Sequence, residues 1–331
     1  MTSFDKERSP QPKALVTGAS GQLGSRLVKK LTNSGWKVFA ISRNNSFLEN
    51  SLVTHVAHNW AGNWDLQLPQ VDFVFHLAAQ TSSYVARKDV SEDVRTNLLG
   101  SVCLLDAIAR TGTNPVFVFA GSMTEYGITK EEFISESSPI QPQTFYDSAK
   151  VATEIYAEQF AREGWLEKSI TLRLSNVYGN SSQNQGADRG FLDRSIWRAL
   201  RLQNLTYFGS GEYKRDFLYI DDVVDALFAV TNNSKNLTHS AYNIGTSVGT
   251  SIRHALKLVT EESELLTSQS VRLDQARFPD DAYQIERRSS IADTRLFHSL
   301  TGWRPKVSLR QGIRQSTIDS WKFLSTQENY D

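Results

Sequence analysis

The chain contains 331 residues, of which 40% are hydrophobic and 22% charged, a composition that supports a buried core and is not that of a disordered protein. Lys plus Arg and Asp plus Glu number 36 each, and the resulting net charge of zero argues against a general nucleic-acid-binding protein. The single cysteine, Cys103, excludes an internal disulfide and a cysteine-based zinc site, and we expect no metal site of another kind.

The N-terminal segment is polar. Residues 1–12 contain two prolines and no apolar run, which predicts a flexible tail and gives no sign of a secretory signal. No stretch approaches the ~18 apolar residues that a membrane helix needs. We therefore expect a cytoplasmic protein that binds neither membranes nor nucleic acids.

Strand-like and helix-like runs alternate from residue 13 to residue 174. The apolar pattern predicts helices at 22–33, 91–110 and 146–163, and strands at 13–17, 37–41, 52–57, 71–78, 115–120 and 169–174. Repeated strand–helix–strand units predict an α/β fold with a Rossmann-type, doubly wound parallel sheet. We assign residues 13–176 to a dinucleotide-binding domain of this kind.

After residue 176 the segments become shorter and richer in Gly, Asn, Ser and Arg. Helical spacing remains clear at 222–231, 251–262 and 308–324. We interpret residues 177–331 as a smaller α/β domain that caps the sheet and is partly interleaved with the first domain.

A glycine-rich turn lies between the first predicted strand and the first predicted helix. Small residues allow the tight turn, let backbone N–H groups approach a pyrophosphate, and let the helix pack on the strand. The helix N-terminus then faces the anion. A strand before and a helix after the turn favour dinucleotide binding over an ordinary glycine-rich turn. The predicted contacts are Gly18, Ser20, Gly21, Gln22, Leu23 and Gly24.

The end of the second strand bears on the choice between NAD and NADP. An acid at this place holds the ribose hydroxyls of NAD, whereas an arginine suits the 2′-phosphate of NADP. The chain has Ser42 and Arg43 here, and the next acid is Glu49. This slightly favours NADP; alternatively, Arg43 is a solvated loop charge and NAD binds without the acid.

Tyr146 and Lys150 lie four residues apart and so share one helix face. A free tyrosine has a pKa near ~10, and a neighbouring ammonium should lower it. The pair can then take a proton from a carbinol while hydride leaves its carbon. Ser122 follows the fifth strand at the carboxyl edge, where ligands of such sheets bind, and its hydroxyl would hold the same oxygen.

The Tyr–Lys spacing is not specific by itself, because Tyr84 with Lys88 and Tyr126 with Lys130 repeat it. Context selects Tyr146. Tyr84 lies in a predicted loop and Tyr126 is followed at once by a glycine, whereas Tyr146 opens a long predicted helix.

Seven motifs occur in the order typical of one family, and at them the chain resembles the extended short-chain dehydrogenase/reductases. Members of this family modify nucleotide sugars, and UDP-galactose 4-epimerase is its familiar type. The motifs are Thr17-Gly-Ala-Ser-Gly-Gln-Leu-Gly24, His76-Leu-Ala-Ala79, Asn97, Gly121-Ser-Met-Thr-Glu-Tyr-Gly127, Tyr146-Asp-Ser-Ala-Lys150, Arg173-Leu-Ser-Asn-Val-Tyr-Gly179 and Arg215-Asp-Phe-Leu-Tyr-Ile-Asp-Asp222.

The resemblance implies a role for each matching position. Ser122, Tyr146 and Lys150 match the catalytic trio, and Lys150 would also bond the nicotinamide ribose. Further cofactor contacts would come from Asn59, Trp60, Leu77, Ala78, Ala79 and Asn97, and substrate contacts from Thr81, Ser122, Thr124, Asn176 and Arg215. Arg215 would clamp the nucleotide diphosphate, a surface ion pair being the alternative. For Asp221 and Asp222 we favour helix capping.

The residues after Ser122 bear on the reaction. Dehydratases of this family carry Asp-Glu there, and the chain has Met123 and Thr124, which disfavours a 4,6-dehydratase. The substrate half favours an NAD(P)-dependent nucleotide-sugar 4-epimerase, with Tyr146 as base and acid. The alternative, an NADPH-dependent reductase of 4-keto-6-deoxy sugars, is favoured by Ser42, Arg43 and Glu125. A catalytically inactive nucleotide-binding protein on the same scaffold is a third possibility.

The resemblance also implies a partner. The predicted helices 91–110 and 146–163 resemble the pair that forms a four-helix bundle between two subunits in this family. We therefore expect a homodimer, with a nucleoside-diphosphate sugar as the substrate.

Overall fold

A computed structural model describes residues 11–43, 50–58, 67–179 and 190–327, so residues 1–10 of the predicted tail lie outside the described ranges. The strands are β1 (Lys13–Thr17), β2 (Lys37–Ser42), β3 (Val53–Ala57), β4 (Phe73–His76), β5 (Val116–Ser122), β6 (Phe133–Ile134), β7 (Lys168–Leu174), β8 (Asn176–Tyr178), β9 (Leu205–Phe208), β10 (Lys214–Tyr219), β11 (Ala241–Ile244), β12 (Gly249–Ser251), β13 (Leu273–Ala276) and β14 (Ile291–Ala292).

The α-helices are α1 (Gln22–Asn33), α2 (Ser83–Lys88), α3 (Val90–Asp93), α4 (Gly100–Arg110), α5 (Phe145–Arg162), α6 (Phe191–Leu200), α7 (Ile220–Asn233), α8 (Ile252–Thr267), α9 (Arg295–Thr301) and α10 (Leu309–Gln327). A π-helical segment covers Val94–Leu99, and two 3₁₀ turns cover Met123–Tyr126 and Gln284–Arg287. Among the helices in the described ranges, none is long and apolar enough to span a membrane.

Seven strands form the large sheet, in the order β11, β7, β5, β4, β1, β2, β3. Each of its pairings is parallel. The chain runs outward from β1 through β2 to β3 and then restarts at β4 on the other side of β1. Ligands of such sheets bind beyond the carboxyl ends of the strands at this reversal. The predicted α/β fold class is therefore confirmed.

The alternating direction of side chains along the strands explains why helices cover both faces of the large sheet. Ala14 and Val16 of β1 pack in one apolar cluster with α1, α7 and α9. Leu15, between them, packs in a second cluster with α4 and α5. Successive side chains of a strand point to opposite faces, so a continuously apolar strand needs a helical layer on each side.

The predicted helix 91–110 is interrupted. α3 passes into the π-helical segment at Val94 before α4 starts at Gly100. The carbonyl oxygen of Asn97 accepts hydrogen bonds from Ser101 Oγ at 2.7 Å and Thr153 Oγ1 at 2.9 Å. Single π-helical turns are frequent at functional sites, and this one brings Asn97 to the loop after β4.

Residues after 176 contribute both to the large sheet and to a second layer, which consists of β8, β10, β12, α6, α8 and α10. β11 returns to the large sheet beside β7. β8 and β10 pair in parallel, and β12 joins β10 in the antiparallel sense. α6, α8 and α10 bury a separate apolar cluster that includes Leu192, Leu256 and Ile313. The chain thus crosses between the two layers more than once.

Candidate active site

The glycine turn between β1 and α1 adopts a conformation that glycine accepts best. Gly18 has a φ of +65°, and a Cβ on it would lie 2.8 Å from the backbone nitrogen of Ala78. A Cβ on Gly24 would overlap the carbonyl oxygen of Gly18, so α1 packs directly on the turn. Gly21 is the N-cap residue of α1, and no side chain of the described residues caps this end of the helix. The first N–H groups of α1 are therefore suited to an anion.

The other predicted residues of the turn surround these glycines. Ser20 is exposed, and Gln22 and Leu23 form the half-buried start of α1. The Gln22 Oε1 accepts a hydrogen bond from Arg26 at 2.9 Å, and Arg26 pairs with Asp221 of α7 at 3.2 Å. These contacts fix the start of α1, and the cradle that glycine leaves open fits a pyrophosphate.

At the end of β2, Ser42 is buried and Arg43 is exposed. The Ser42 hydroxyl lies 3.0 Å from His55 Nε2 of β3, so it already has a partner within the sheet. Asn59 and Trp60, which the resemblance places near the adenine, lie outside the described residues.

His76 connects β1 and α4 at the reversal point. Its Nδ1 lies 2.8 Å from Thr17 Oγ1 and its Nε2 lies 2.9 Å from Ser101 Oγ. Ser101 donates its own proton to Asn97, so His76 must donate through Nε2 and accept at Nδ1. Burial, with Lys150 nearby, lowers the pKa of His76 well below its ordinary value. His76 is thus a neutral structural link beneath the loop after β4.

The loop after β4 is held from two sides. Thr17 Oγ1 accepts the N–H groups of Leu77 and Ala78 at 3.2 and 3.3 Å. The side-chain amide of Asn97 exchanges two 2.9 Å hydrogen bonds with the backbone of Gln80. The predicted residues Leu77, Ala78 and Ala79 therefore lie in a braced loop beside Gly18, and Asn97 acts on this loop.

The predicted trio converges at the carboxyl edge of the sheet. Ser122 ends β5, and Tyr146 and Lys150 lie in the first turns of α5. The Ser122 hydroxyl acts on the Tyr146 phenol and lowers its pKa, although burial outweighs this effect. Lys150 Nζ lies 5.7 Å from the centre of the Tyr146 ring and donates to the carbonyl oxygen of Ala120 at 2.9 Å. The start of α5 is fixed by a capping box between Thr144 and Asp147.

Burial shifts the two titratable groups of the trio toward their uncharged forms. The pKa of Lys150 falls to about 8 by burial, although Glu125 and Asp93 oppose the shift. Burial, and then the charges of Glu125 and Asp147, raise the pKa of the Tyr146 phenol. This direction is opposite to the one expected from the sequence for Tyr146, because loss of solvent and the neighbouring carboxylates outweigh the effect of the Ser122 hydroxyl.

The two other Tyr–Lys pairs do not form such a site. Tyr126 is buried, donates its hydroxyl proton to Asn243 at 2.8 Å, and accepts from Arg173 at 2.8 Å. Tyr84 packs against the ring of Tyr283 at 5.4 Å. The choice of Tyr146 from its context thus agrees with the geometry.

The predicted substrate residues Thr81, Thr124 and Asn176 differ in their exposure. Thr124 Oγ1 lies 2.9 Å from Ser122 Oγ. Thr81, in the loop after β4, and Asn176, at the start of β8, are exposed. Thr124 thus belongs to the immediate surroundings of the trio, while Thr81 and Asn176 present their side chains to solvent.

Arg215 is buried rather than engaged in a surface ion pair. Its guanidinium donates to the backbone carbonyls of Lys214 at 3.1 Å, Glu286 at 2.9 Å, and Arg288. Burial and the neighbouring Arg215 lower the pKa of Arg288 to about 10. The charges of Glu286 and Asp147 oppose this shift, and an anion bound beside the two guanidinium groups would oppose it further.

The capping interpretation of Asp221 and Asp222 is wrong. α7 has Tyr219 at its N-cap and no side-chain cap among the described residues. Asp222 accepts the backbone N–H groups of Lys306 and Val307 at 2.9 and 3.0 Å, and thereby anchors the segment before α10.

Two features of the site were not foreseen. Glu125 and Arg173 form a buried cluster beneath Ser122, and the signal in the sequence was the charge of Arg173 within the apolar strand 169–174. The second feature is that Arg87 of α2 donates to Asp281 at 2.6 Å and lies 4.9 Å from the centre of the Tyr283 ring. No sequence pattern links segments so far apart.

Comparison with known proteins gives relatives of one family. A UDP-glucose 4-epimerase of Mycolicibacterium smegmatis is 29% identical over 92% of this chain and 97% of its own length. A UDP-glucuronic acid decarboxylase 1 of Xenopus tropicalis is 28% identical over 95% of this chain and 73% of its own length. The UDP-glucose 4-epimerase of Thermotoga maritima, solved with UDP-glucose, is 30% identical with a TM-score of 0.81, covering 94% of this chain and 99% of that one.

These relatives differ in the reaction they perform and share the nucleotide-sugar substrate class. The sequence model of the NAD dependent epimerase/dehydratase family matches residues 14–245, which include the glycine turn and the trio. The chain is therefore an enzyme of the NAD-dependent epimerase/dehydratase family.

Proposed function

We propose that the chain is an NAD(P)-dependent nucleotide-sugar 4-epimerase. It would oxidise the sugar C4 hydroxyl transiently and then reduce the 4-keto sugar on its other face. The observation that carries this proposal is the meeting of Ser122, Tyr146 and Lys150 at the carboxyl edge of the sheet. The two relatives named as UDP-glucose 4-epimerases support it and make UDP-hexoses the first substrates to test.

The residues of the site divide the work of this reaction. NAD or NADP, when bound, supplies the hydride acceptor and donor. Residues 18–24 would hold its pyrophosphate and Lys150 its nicotinamide ribose. Tyr146 takes the proton of the C4 hydroxyl and later returns it, while the Ser122 hydroxyl holds the same oxygen. The ammonium of Lys150 stabilises the Tyr146 phenolate.

The nucleotide part of the substrate would lie toward the second layer of the molecule. We propose that Arg215 and Arg288 neutralise the diphosphate there, since their guanidinium groups share one buried region. Asn176, Thr81 and Thr124 would contact the phosphates or the sugar. This assignment predicts that Arg215→Lys raises the KM for the nucleotide sugar more than it lowers kcat.

The alternative function, reduction of a 4-keto-6-deoxy nucleotide sugar by NADPH, is favoured by Arg43 and Glu125. The first test is to purify the protein without added cofactor, denature it, and identify the released dinucleotide by mass spectrometry. Near-stoichiometric NAD supports the epimerase, which keeps its cofactor through turnover. Empty protein or substoichiometric NADP supports the reductase and makes Arg43→Ala the next variant.

Tyr146→Phe separates both enzymes from an inactive binding protein. A catalyst should lose turnover of its nucleotide sugar by ~100-fold or more, while calorimetry should show nearly unchanged ligand affinity. Unchanged turnover in Tyr146→Phe, or no turnover of any UDP-hexose by the parent protein, would reject the proposed function.

We propose that the protein is a homodimer built from the π-helical segment, α4 and α5. Large apolar side chains protrude from these helices, including Leu99, 52% exposed, and Ile155, 60% exposed, with Val94, Phe145 and Tyr156 also exposed. Such exposed patches mark protein interfaces. Light scattering should show twice the 37.3 kDa chain mass for the parent protein and single chains for Ile155→Glu; single chains at micromolar concentration in the parent would reject the dimer.

A further inference from the structure

Glu125 is a fully buried carboxyl group directly beneath the Ser122 turn. Its Oε1 accepts the backbone N–H of Ser122 at 2.6 Å. Gly121 provides the space, since a Cβ there would lie 2.9 Å from the same oxygen. Glu125 thus fixes the backbone from which the Ser122 hydroxyl projects.

One guanidinium faces two carboxyl groups in this buried region. Arg173 Nε lies 3.3 Å from Glu125 Oε2. The same guanidinium donates two hydrogen bonds to Glu154 of α5, one of them 3.2 Å long. With both carboxyl groups ionised, the cluster would carry a net negative charge without solvent, which is strongly unfavourable.

A single shared proton resolves this imbalance. Glu125 Oε2 accepts no hydrogen bond from any described residue, yet the Glu125 carboxyl lies within hydrogen-bonding reach of Glu154. Two carboxyl groups can hydrogen-bond only when one of them is protonated. Burial and then the charge of Glu154 raise the pKa of Glu125 well above its ordinary range, against the attraction of Arg173. With one proton, Glu125, Glu154 and Arg173 are neutral together.

The charge of Glu125 matters because the trio lies against it. A negative charge on Glu125 opposes ionisation of the Tyr146 phenol and holds the proton of Lys150 more tightly. Asp147 and Asp93 act on Tyr146 in the same direction from their own positions. The charged and titratable groups that face Glu125 are Tyr126 of its own turn, Tyr146, Lys150 and Glu154 of α5, and Arg173 of β7.

We propose that Glu125, sharing one proton with Glu154 beside Arg173, is a positioning residue that fixes Ser122 and keeps negative charge away from the Tyr146 phenol. The inference rests on the proposed function, because it assigns Ser122 and Tyr146 their roles. It adds a buried proton-sharing pair that acts on the trio without touching substrate.

Two substitutions of Glu125 separate shape from charge. Glu125→Gln keeps an acceptor for the Ser122 N–H and a donor toward Glu154, as a protonated glutamate does, whereas Glu125→Ala removes both. Since small misplacements of reacting groups cost up to ~100-fold in rate, kcat of Glu125→Ala should fall by ~30- to 100-fold with little change in KM. Glu125→Gln should recover most of that loss. The exposed Glu131→Gln serves as the matched control and should keep the parent kcat.

The pH profile tests the charge state. In the oxidation direction, the ascending limb of kcat with pH reports ionisation of Tyr146. If Glu125 is already neutral, Glu125→Gln leaves this limb in place. A shift to lower pH by more than about 0.5 unit would mean that an ionised Glu125 was removed and would overturn the proposal, as would parental kcat in Glu125→Ala.

Infrared spectroscopy can detect the proton shared by Glu125 and Glu154 without any measurement of turnover. At neutral pH the parent protein should show the carbonyl band of a buried protonated carboxylic acid, and this band should vanish in Glu125→Gln and in Glu154→Gln. Persistence of the whole band in both variants would overturn the shared proton, even if Glu125→Ala fails to fold. Failure of the proposed function instead shows as absent turnover in the parent protein with the band intact.

Discussion

Gly18→Ala isolates the steric demand of the glycine turn. Gly18 has a φ of +65°, and its missing Cβ would lie 2.8 Å from the Ala78 nitrogen and 3.0 Å from the Leu77 carbonyl carbon. Gly35, at the end of α1, has a φ of +84°, and no heavy atom of the described residues lies within 4 Å of its Cβ position. Gly35→Ala is therefore a matched control with backbone strain and without the clash.

The two variants should differ by the clash alone. A Cβ in the left-handed region costs about 1–2 kcal/mol, and Gly35→Ala should lower the free energy of unfolding by that amount. Gly18→Ala must also displace the backbone of residues 77–78, and overpacking of this kind costs a further ~1–3 kcal/mol. Because we propose that the turn holds the pyrophosphate, we expect the affinity of Gly18→Ala for NAD to fall at least ~10-fold, or about 1.4 kcal/mol.

Urea denaturation gives the free energy of unfolding of both variants, and calorimetric titration gives their affinity for NAD. Gly35→Ala should bind NAD like the parent protein. If Gly18→Ala is destabilised no more than Gly35→Ala and also binds NAD with parental affinity, the close approach to Ala78 is not what requires glycine in this turn.

Three further outcomes follow from contacts elsewhere. Asp222→Ala removes the acceptor of two backbone N–H groups and should lower the free energy of unfolding, measured by urea denaturation, by ~2–3 kcal/mol. Asp221→Ala breaks only the half-exposed pair with Arg26 and should lower it by less than ~1 kcal/mol. Equal effects of the two substitutions would contradict the anchoring role of Asp222. Burial of Glu262 raises its pKa, but hydrogen bonds from Arg314 and Arg310 outweigh this effect and hold the pKa below its ordinary value. Glu262 therefore stabilises the fold above its unfolded pKa of ~4.3, and this stabilisation is lost as the pH falls further. The difference in free energy of unfolding between the parent and Glu262→Gln should shrink on acidification, and a constant difference would refute the linkage. Lys150→Met removes the cation beside Tyr146 and should lower kcat by ~100-fold or more in steady-state assays, with the sugar KM nearly unchanged; retained kcat would remove Lys150 from the reaction.

The main sheet could be predicted from the sequence because its strands are buried on both faces. Continuous apolar runs such as 115–120 leave little choice of structure, and β5 occupies Val116–Ser122. The glycine turn was equally predictable, since its requirement is local. Ser122 and Tyr146 could be paired only through the topology, because β5 and α5 bring them together across a loop.

Interactions between distant segments could not be predicted. The break in the helix 91–110 depends on Ser101 and Thr153, which hold the carbonyl oxygen of Asn97, and Thr153 lies in another helix. Asp222 has the position of a capping residue in the sequence, but its partners are the N–H groups of Lys306 and Val307. Local sequence propensity cannot predict such contacts, because the partner group comes from a distant segment that lies nearby only in the folded chain.

The two pKa shifts in the trio indicate how the site can respond to charge. Burial raises the pKa of Tyr146 and lowers that of Lys150 to about 8, so the proton affinities of the phenol and the amine, which are nearly equal in water, move apart. A cation that enters the cleft beside the phenol lowers the pKa of Tyr146 again. A neutral cluster at Glu125 preserves that response, whereas an ionised one would offset it. The proposed proton beneath Ser122 and the proton that Tyr146 would exchange with substrate are therefore expected to be coupled through charge, and Glu125→Gln tests that coupling directly.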